Sequence, residues 1–320
     1  FIDKVDISSF KILDNNFELL LINDTIQNSN NKEFTLSING KALDLSFLDI
    51  KKTKSTFRDI IINLEINVKK FEYLNNTVFS PVEIQGQFKN VWQNLNFNGL
   101  FDTGEELIIK INSINGERIF DINSTNSGKT LRIKDITKSI TGGNLKFYGK
   151  YKSNNDDNFF ESSLTLENFA IKKKSKLANF IKVIRVFDIK KQLDGDTEDF
   201  EYAEMKITKF NHIYQITDGK AYGGLMALTA EGNINKDEND IDIKGIVAPT
   251  HGIDSWVGNI PILGAIMTGI EGGGVVAANY SVKGKIKDPK YFVNPLSVLT
   301  PGIFKEFWKI FEVPQSKKTN

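Results

Sequence analysis

Ile60-Ile61-Ile62-Asn63-Leu64-Glu65-Ile66-Asn67-Val68 is the stretch that decides the fold. Ile60, Ile62, Leu64, Ile66 and Val68 recur at every second position, and Asn63, Glu65 and Asn67 stand between them. Successive side chains of an extended chain point to opposite faces, so this spacing predicts a strand with one apolar and one polar face. A helix would scatter the same apolar residues around its circumference.

The pattern spreads in both directions from there. Phe34, Leu36 and Ile38 oppose Thr35, Ser37 and Asn39; Val82, Ile84, Gly86 and Phe88 oppose Glu83, Gln85 and Gln87; Leu107, Ile109 and Ile111 oppose Lys110 and Asn112. Leu145, Phe147 and Gly149, then Leu164 and Leu166, continue the series. Asn39-Gly40, Asn98-Gly99, Asn115-Gly116, Ser127-Gly128, Gly142-Gly143 and residues 154–157 read as turns. The fold class expected is mainly β: an elongated antiparallel sheet curled into a groove or sandwich, with a few short amphipathic helices. Such a sheet must hide its apolar face. It can fold over as a sandwich, close as a barrel, or curl into a groove that something apolar fills, and alternation does not choose among them. As a groove, its lining would be Ile60, Ile62, Leu64, Ile66, Val68, Val82, Ile84, Phe88, Leu107, Ile109 and Ile111.

Near Lys174 the period changes. Leu177, Phe180, Ile181, Ile184 and Phe187 form a helical stripe, which places a boundary between an alternating-strand segment, 1–170, and a second region, 171–320. Strands return over 204–210, 213–217, 221–234, 241–248 and 275–286, with Thr217-Asp218-Gly219-Lys220 read as a hairpin turn.

Composition narrows the function classes. The 320 residues hold 41 basic and 40 acidic side chains, a net charge of +1, which gives a nucleic-acid partner no bulk electrostatic support. The absence of cysteine excludes disulfides and thiolate metal sites. His212 and His251 are the two histidines; both read as turn or loop residues, so no nucleophile–base set, catalytic residue, metal or cofactor is expected. Asp194, Asp196, Glu198, Asp199 and Glu201 lack the glycine and final carboxylate of a calcium loop. Gly269 and Gly272-Gly273-Gly274 precede a strand where a phosphate loop needs a helix.

The chain begins at Phe1 with neither a signal peptide nor an initiator methionine, so a segment of a longer protein is expected, with any anchor upstream. Its longest apolar run, over 260–270, is too short to span a bilayer. Ile260, Ile262, Leu263, Ile266, Met267 and Ile270 suit either a helix capping the sheet or a tip that touches a membrane or a partner. Phe304, Phe307 and Trp308 give a short final helix an aromatic face with the same two readings. The lysines from Lys172 to Lys191 leave the helix at 177–187 open to an anionic membrane surface or to packing on the sheet.

The order of features after residue 175 carries a resemblance. A helix is followed by Phe200, Ile207, Ile216, Asp218-Gly219, Gly224, Leu228, Ala230, Gly232-Asn233-Ile234 and Pro249. Then come the apolar run from Asn259, Glu271-Gly272-Gly273-Gly274, an alternating strand, Val293-Asn294-Pro295-Leu296-Ser297 and Leu299-Thr300-Pro301-Gly302. This order, over about residues 176–313, resembles the C-terminal region of the AsmA-like superfamily, which includes the TamB and YhdP types. The resemblance implies a periplasmic protein of the Gram-negative envelope, held to the inner membrane by a segment upstream. It implies non-enzymatic transport of phospholipid to the outer membrane along an apolar β-groove, with acyl chains and a membrane surface, the outer one, as partners. The alternative it leaves open is a structural module that docks an outer-membrane assembly or translocation partner.

Overall fold

Alternation of β-branched or aromatic residues with polar ones favours extended backbone and gives each strand two chemically distinct faces. The computed structural model describes residues 9–13, 17–23, 32–46, 60–153, 158–172, 196–223, 226–249 and 278–294. The described residues are almost wholly strand and fall into two compact units, Phe1–Leu164 and Thr165–Asn320.

The first unit carries β1 (Ser9–Leu13), β2 (Phe17–Asn23), β3 (Lys32–Asp44), β4 (Ile60–Tyr73), β5 (Thr77–Lys89), β6 (Val91–Phe101), β7 (Glu106–Ile114), β8 (Glu117–Ser124), helix α1 (Ser127–Ile133) and β9 (Ile140–Ser153). Strand β10 (Asn158–Lys172) contains the division at Leu164. From β1 to β9 each strand pairs with the next, and the ladder is open: among the described residues β1 pairs with β2 alone. All these pairs are antiparallel except β3 and β4, which run parallel with Ile38 beside Ile66. The expected elongated antiparallel sheet is what the strands form, with this one pair as its exception. Alternation carries no strand direction, and the connection over 45–59 is long enough for the crossover that parallel pairing requires.

The second unit is a six-strand antiparallel run: β11 (Thr197–Phe210), β12 (Ile213–Gly223), β13 (Met226–Asn235), β14 (Asp240–Pro249), β15 (Ala278–Lys285) and β16 (Asp288–Asn294). Small residues make its centre, with Ala227 opposite Ala248 and both fully enclosed. Phe169 stacks on Phe200 at 5.4 Å, and the buried Tyr280 hydroxyl donates to the Thr229 carbonyl.

Several expected turns lie inside strands. Asn39-Gly40 falls within β3 and Asn98-Gly99 within β6, and Gly142-Gly143 is taken up by β9. Asp218-Gly219 is a bulge in β12, with Asp218 at φ 51° and a register shift on both neighbours. The chain reverses at Asn211-His212 instead, and the single strand expected over 221–234 divides into the end of β12 and β13. A turn and a bulge both call for residues that tolerate positive φ, so the local signal is shared. Asn115-Gly116, at φ 52° and 80°, is the tight hairpin expected of it. Ser127-Gly128 opens α1 where a turn was expected. The expected helices at 177–187, 260–270 and 304–311 lie outside the described residues.

Candidate functional site

Register sets the apolar residues of the first unit into rows across the strands. Ile38, Ile66, Ile84, Phe97, Ile109, Ile122 and Phe147 make one row. On one side of it lie Val68, Val82, Gly99, Leu107, Ser124 and Leu145, and beyond them Phe71, Phe79 and Phe101. On the other side lie Leu36, Leu64, Gly86, Leu95, Ile111, Phe120 and Gly149, followed by Phe34, Ile62 and Phe88 with Trp92. All eleven expected lining residues therefore share one face. The opposite face is polar and bonded to itself: Gln87 donates to Asn63 at 2.9 Å, and Asn63 to Glu33 at 2.9 Å.

Exposure changes along the strands. Val68, Phe79 and Leu107 are 1% exposed and Val82 is fully enclosed. Ile66, Ile84 and Phe97 are buried, whereas Leu64, Leu95, Ile62, Ile60 and Phe88 are only half-buried. The face is closed at one end and part-open at the other.

Helix α1 accounts for the closed end. Its Leu131 and Ile133 are buried, and Ile133 belongs to the same apolar cluster as Val68, Phe79 and Leu107. Two turns of helix are marginal by themselves and need anchoring. Asn126 caps the start, its side chain accepting from the Lys129 amide at 3.0 Å. Asn75, in the turn between β4 and β5, donates to the Ile133 carbonyl at 3.0 Å and lies 3.3 Å from that of Arg132, which also accepts from the Asp135 amide. The Lys129 ammonium lies 3.1 Å from Asp102 and 3.3 Å from Glu105 and also reaches Thr103. The Thr103 hydroxyl, the Asn126 amide and Lys129 outweigh burial and hold the Glu105 carboxyl down at about 2. Gly128 permits close approach, because a Cβ there would stand 2.6 Å from the Ile140 carbonyl oxygen.

Sequence periodicity missed Phe71, Phe79 and Phe101, because Lys69-Lys70 and Ser80-Pro81 interrupt the alternation beside them. It also missed α1, whose one local signal is Asn126 ahead of a short Leu–Ile pair. A further residue on the face is charged: Arg118 pairs with Ser113 on one side and Tyr151 on the other, in line with Ile111–Phe120–Gly149.

Among the described residues no other candidate gathers into a site. His212 is an exposed turn residue against Asp237, and His251 lies outside the described residues. Glu198 is buried while Asp199 and Glu201 are exposed, and among the described residues no group of acidic or histidine side chains is placed to hold a metal. Ile260, Ile262, Leu263, Ile266, Met267, Ile270, Phe304, Phe307 and Trp308 lie outside the described residues. No described helix is long and apolar enough to cross a membrane. No protein-family model, curated protein or solved structure matches the chain.

Proposed function

We propose that the apolar face of the first unit binds phospholipid acyl chains, and that the protein takes part in lipid transport between the inner and outer membranes without doing chemistry. The observation that carries this reading is the gradient of exposure: rows of Ile, Leu and Phe remain half-open on a sheet whose other end is sealed. The order of motifs over residues 176–313 supports the envelope setting. A sixteen-carbon tail carries about 15 methylenes at ~0.8 kcal/mol each, so covering one side of it removes on the order of 6 kcal/mol of unfavourable hydration. Transfer from a bilayer, where the whole tail is covered, to a face that covers one side of it forfeits the remaining ~6 kcal/mol. The face thus shields a tail in transit, and direction comes from elsewhere.

The test is native mass spectrometry of the chain purified from a bacterial envelope. Co-purifying phospholipid that disappears in a folded Ile62→Asp/Leu64→Asp protein is the expected result. Lipid-free wild-type protein, or lipid retained by that variant, would sink the reading. A second reading, docking of an envelope assembly or translocation partner, is favoured by β16. Among the described residues this strand pairs only with β15, and its Phe292 is 54% exposed.

A further inference from the structure

The apolar rows are broken by charge at one place. Among the described inward register positions of β4 to β9, Arg118 is the one ionised side chain, two residues beyond Phe120 towards the half-open end. Its guanidinium lies over the Tyr151 ring, 5.4 Å from its centre, a cation–π contact. The Nε atom is enclosed and has no hydrogen-bond partner. No described carboxylate pairs with Arg118, whereas its outward neighbour Glu117 is taken by Lys152 at 3.4 Å. The Ser113 hydroxyl beside it donates to the Trp92 carbonyl, which leaves the hydroxyl oxygen as an acceptor. Enclosing a guanidinium N–H without an acceptor destabilises the fold, and an apolar residue would continue the row at no such cost. Tyr151 stacking does not satisfy that N–H.

We infer that Arg118 anchors the anionic phosphodiester of a phospholipid whose acyl tail runs along strand β8, crossing the apolar rows, towards α1. This rests on the reading of the face as lipid-binding. Arginine suits the part because its planar fork matches two phosphate oxygens at once, which an ammonium does not. The length also fits. Four residue steps from Arg118 to Ile122 cover roughly 14 Å at about 3.4 Å each, against about 15 Å for the hydrocarbon of one leaflet. Beyond Ile122 the space is occupied by Leu107 and the α1 cluster. A tail with its phosphate at Arg118 therefore fills the half-open part of the face and stops where the protein closes it.

The test uses the full chain with short-chain phosphatidylglycerol and the diacylglycerol bearing the same tails, each below its aggregation concentration, by calorimetry. The expected result is that Arg118→Gln weakens phosphatidylglycerol by about tenfold or more, the range of a charge-assisted hydrogen bond, while diacylglycerol binding is unchanged. Arg118→Lys, which keeps charge and stem but loses the fork, should fall between. The melting temperature of lipid-free Arg118→Met should equal or exceed the wild-type value, since an unsatisfied N–H is removed. Equal wild-type affinity for the two lipids, parallel loss of both in Arg118→Gln, or a destabilised Arg118→Met would overturn the assignment and leave Arg118 as a packing residue. Displacement of phosphatidylglycerol by millimolar inorganic phosphate without tail dependence would assign the site to free phosphate instead. Failure of wild-type protein to bind either lipid would remove the lipid-binding reading itself, an outcome distinct from any of these.

Discussion

Replacing Phe79 by alanine removes the largest fully buried side chain of the apolar face, and replacing Phe88 by alanine removes the same ring from its half-open end. The contrast between the two tests whether the face is sealed throughout. Phe79 is 1% exposed, with Phe101 stacked at 4.8 Å, Phe97 edge-on at 5.1 Å and Phe71 at 6.3 Å. Its loss forfeits transfer energy and leaves a cavity that β4, β6 and α1 cannot collapse, for about 3–5 kcal/mol. Phe88 is half-buried and has one ring partner, Trp92 at 5.5 Å. Being partly rather than fully buried, with little cavity on an open side, it should cost less than the ~1.5–3 kcal/mol of full burial, about 1–2 kcal/mol. The measurement is urea unfolding of both variants followed by far-ultraviolet circular dichroism, comparing midpoints at unchanged slope. Phe79→Ala should shift the midpoint roughly twice as far as Phe88→Ala or further. Equal shifts would mean that the Phe88 end is as well covered as the Phe79 end, and the half-open face would be refuted.

Two further outcomes concern the seal. Glu105 has a folded-state value of about 2 against an ordinary 4.5, so its contribution to holding α1 is present above about pH 4.5 and is lost as the pH falls towards 2. The difference in urea midpoint between wild type and Glu105→Gln should accordingly be constant above that window and vanish below it; a pH-independent difference would contradict the assignment. Gly128→Ala places a methyl 2.6 Å from the Ile140 carbonyl oxygen and 2.8 Å from the Thr141 Cα, both backbone atoms that do not yield cheaply. A loss of about 1–3 kcal/mol and faster amide exchange in residues 127–133 are expected, and wild-type exchange there would show that α1 is not pressed against β9.

The strands of the first unit were legible because period two is a property of the backbone: Ile60 to Val68 can form nothing else without exposing its isoleucines. Direction and closure were not. Ile38 and Ile66 stand side by side whether β3 runs with β4 or against it, so the parallel pair left no trace in the pattern. Gly99 looks like half of an Asn-Gly turn, yet in the fold it makes room: a Cβ there would come within 3.0 Å of the Val82 and Phe97 side chains. Helix α1 is too short for a stripe of its own and exists through Asn126, Asn75 and Gly128, contacts made by residues far apart in the chain. Arg118 was passed over because a period search treats a charge on the apolar face as a break in the strand, although a break is where specificity can reside.

The position of the seal bears on how lipid would move. With α1 closing one end of the strands, a tail cannot pass along them and out through Val68, Phe79 and Leu107. The rows themselves run across the strands, and the one from Leu36 through Leu64, Leu95 and Ile111 to Phe120 is apolar throughout, interrupted only by glycine. Each step between strands is about 4.8 Å, so β3 to β8 offers roughly 24 Å of sideways path on which a tail exchanges one set of methyl groups for another. Such a path has no deep minimum while only the tail is held. The rim beside it is Phe34, Ile62, Phe88 and Trp92, none of them charged, until Arg118. On the proposed function, a phosphate moving along this rim would meet Arg118 as the one cation among its described positions, with Lys32 one step further out on β3, and the lipid would dwell at β8 before going on. On this account Arg118→Gln weakens binding yet speeds exchange of lipid between vesicles, whereas a residue that only gripped the lipid as its final holder would show weaker binding with no gain in exchange.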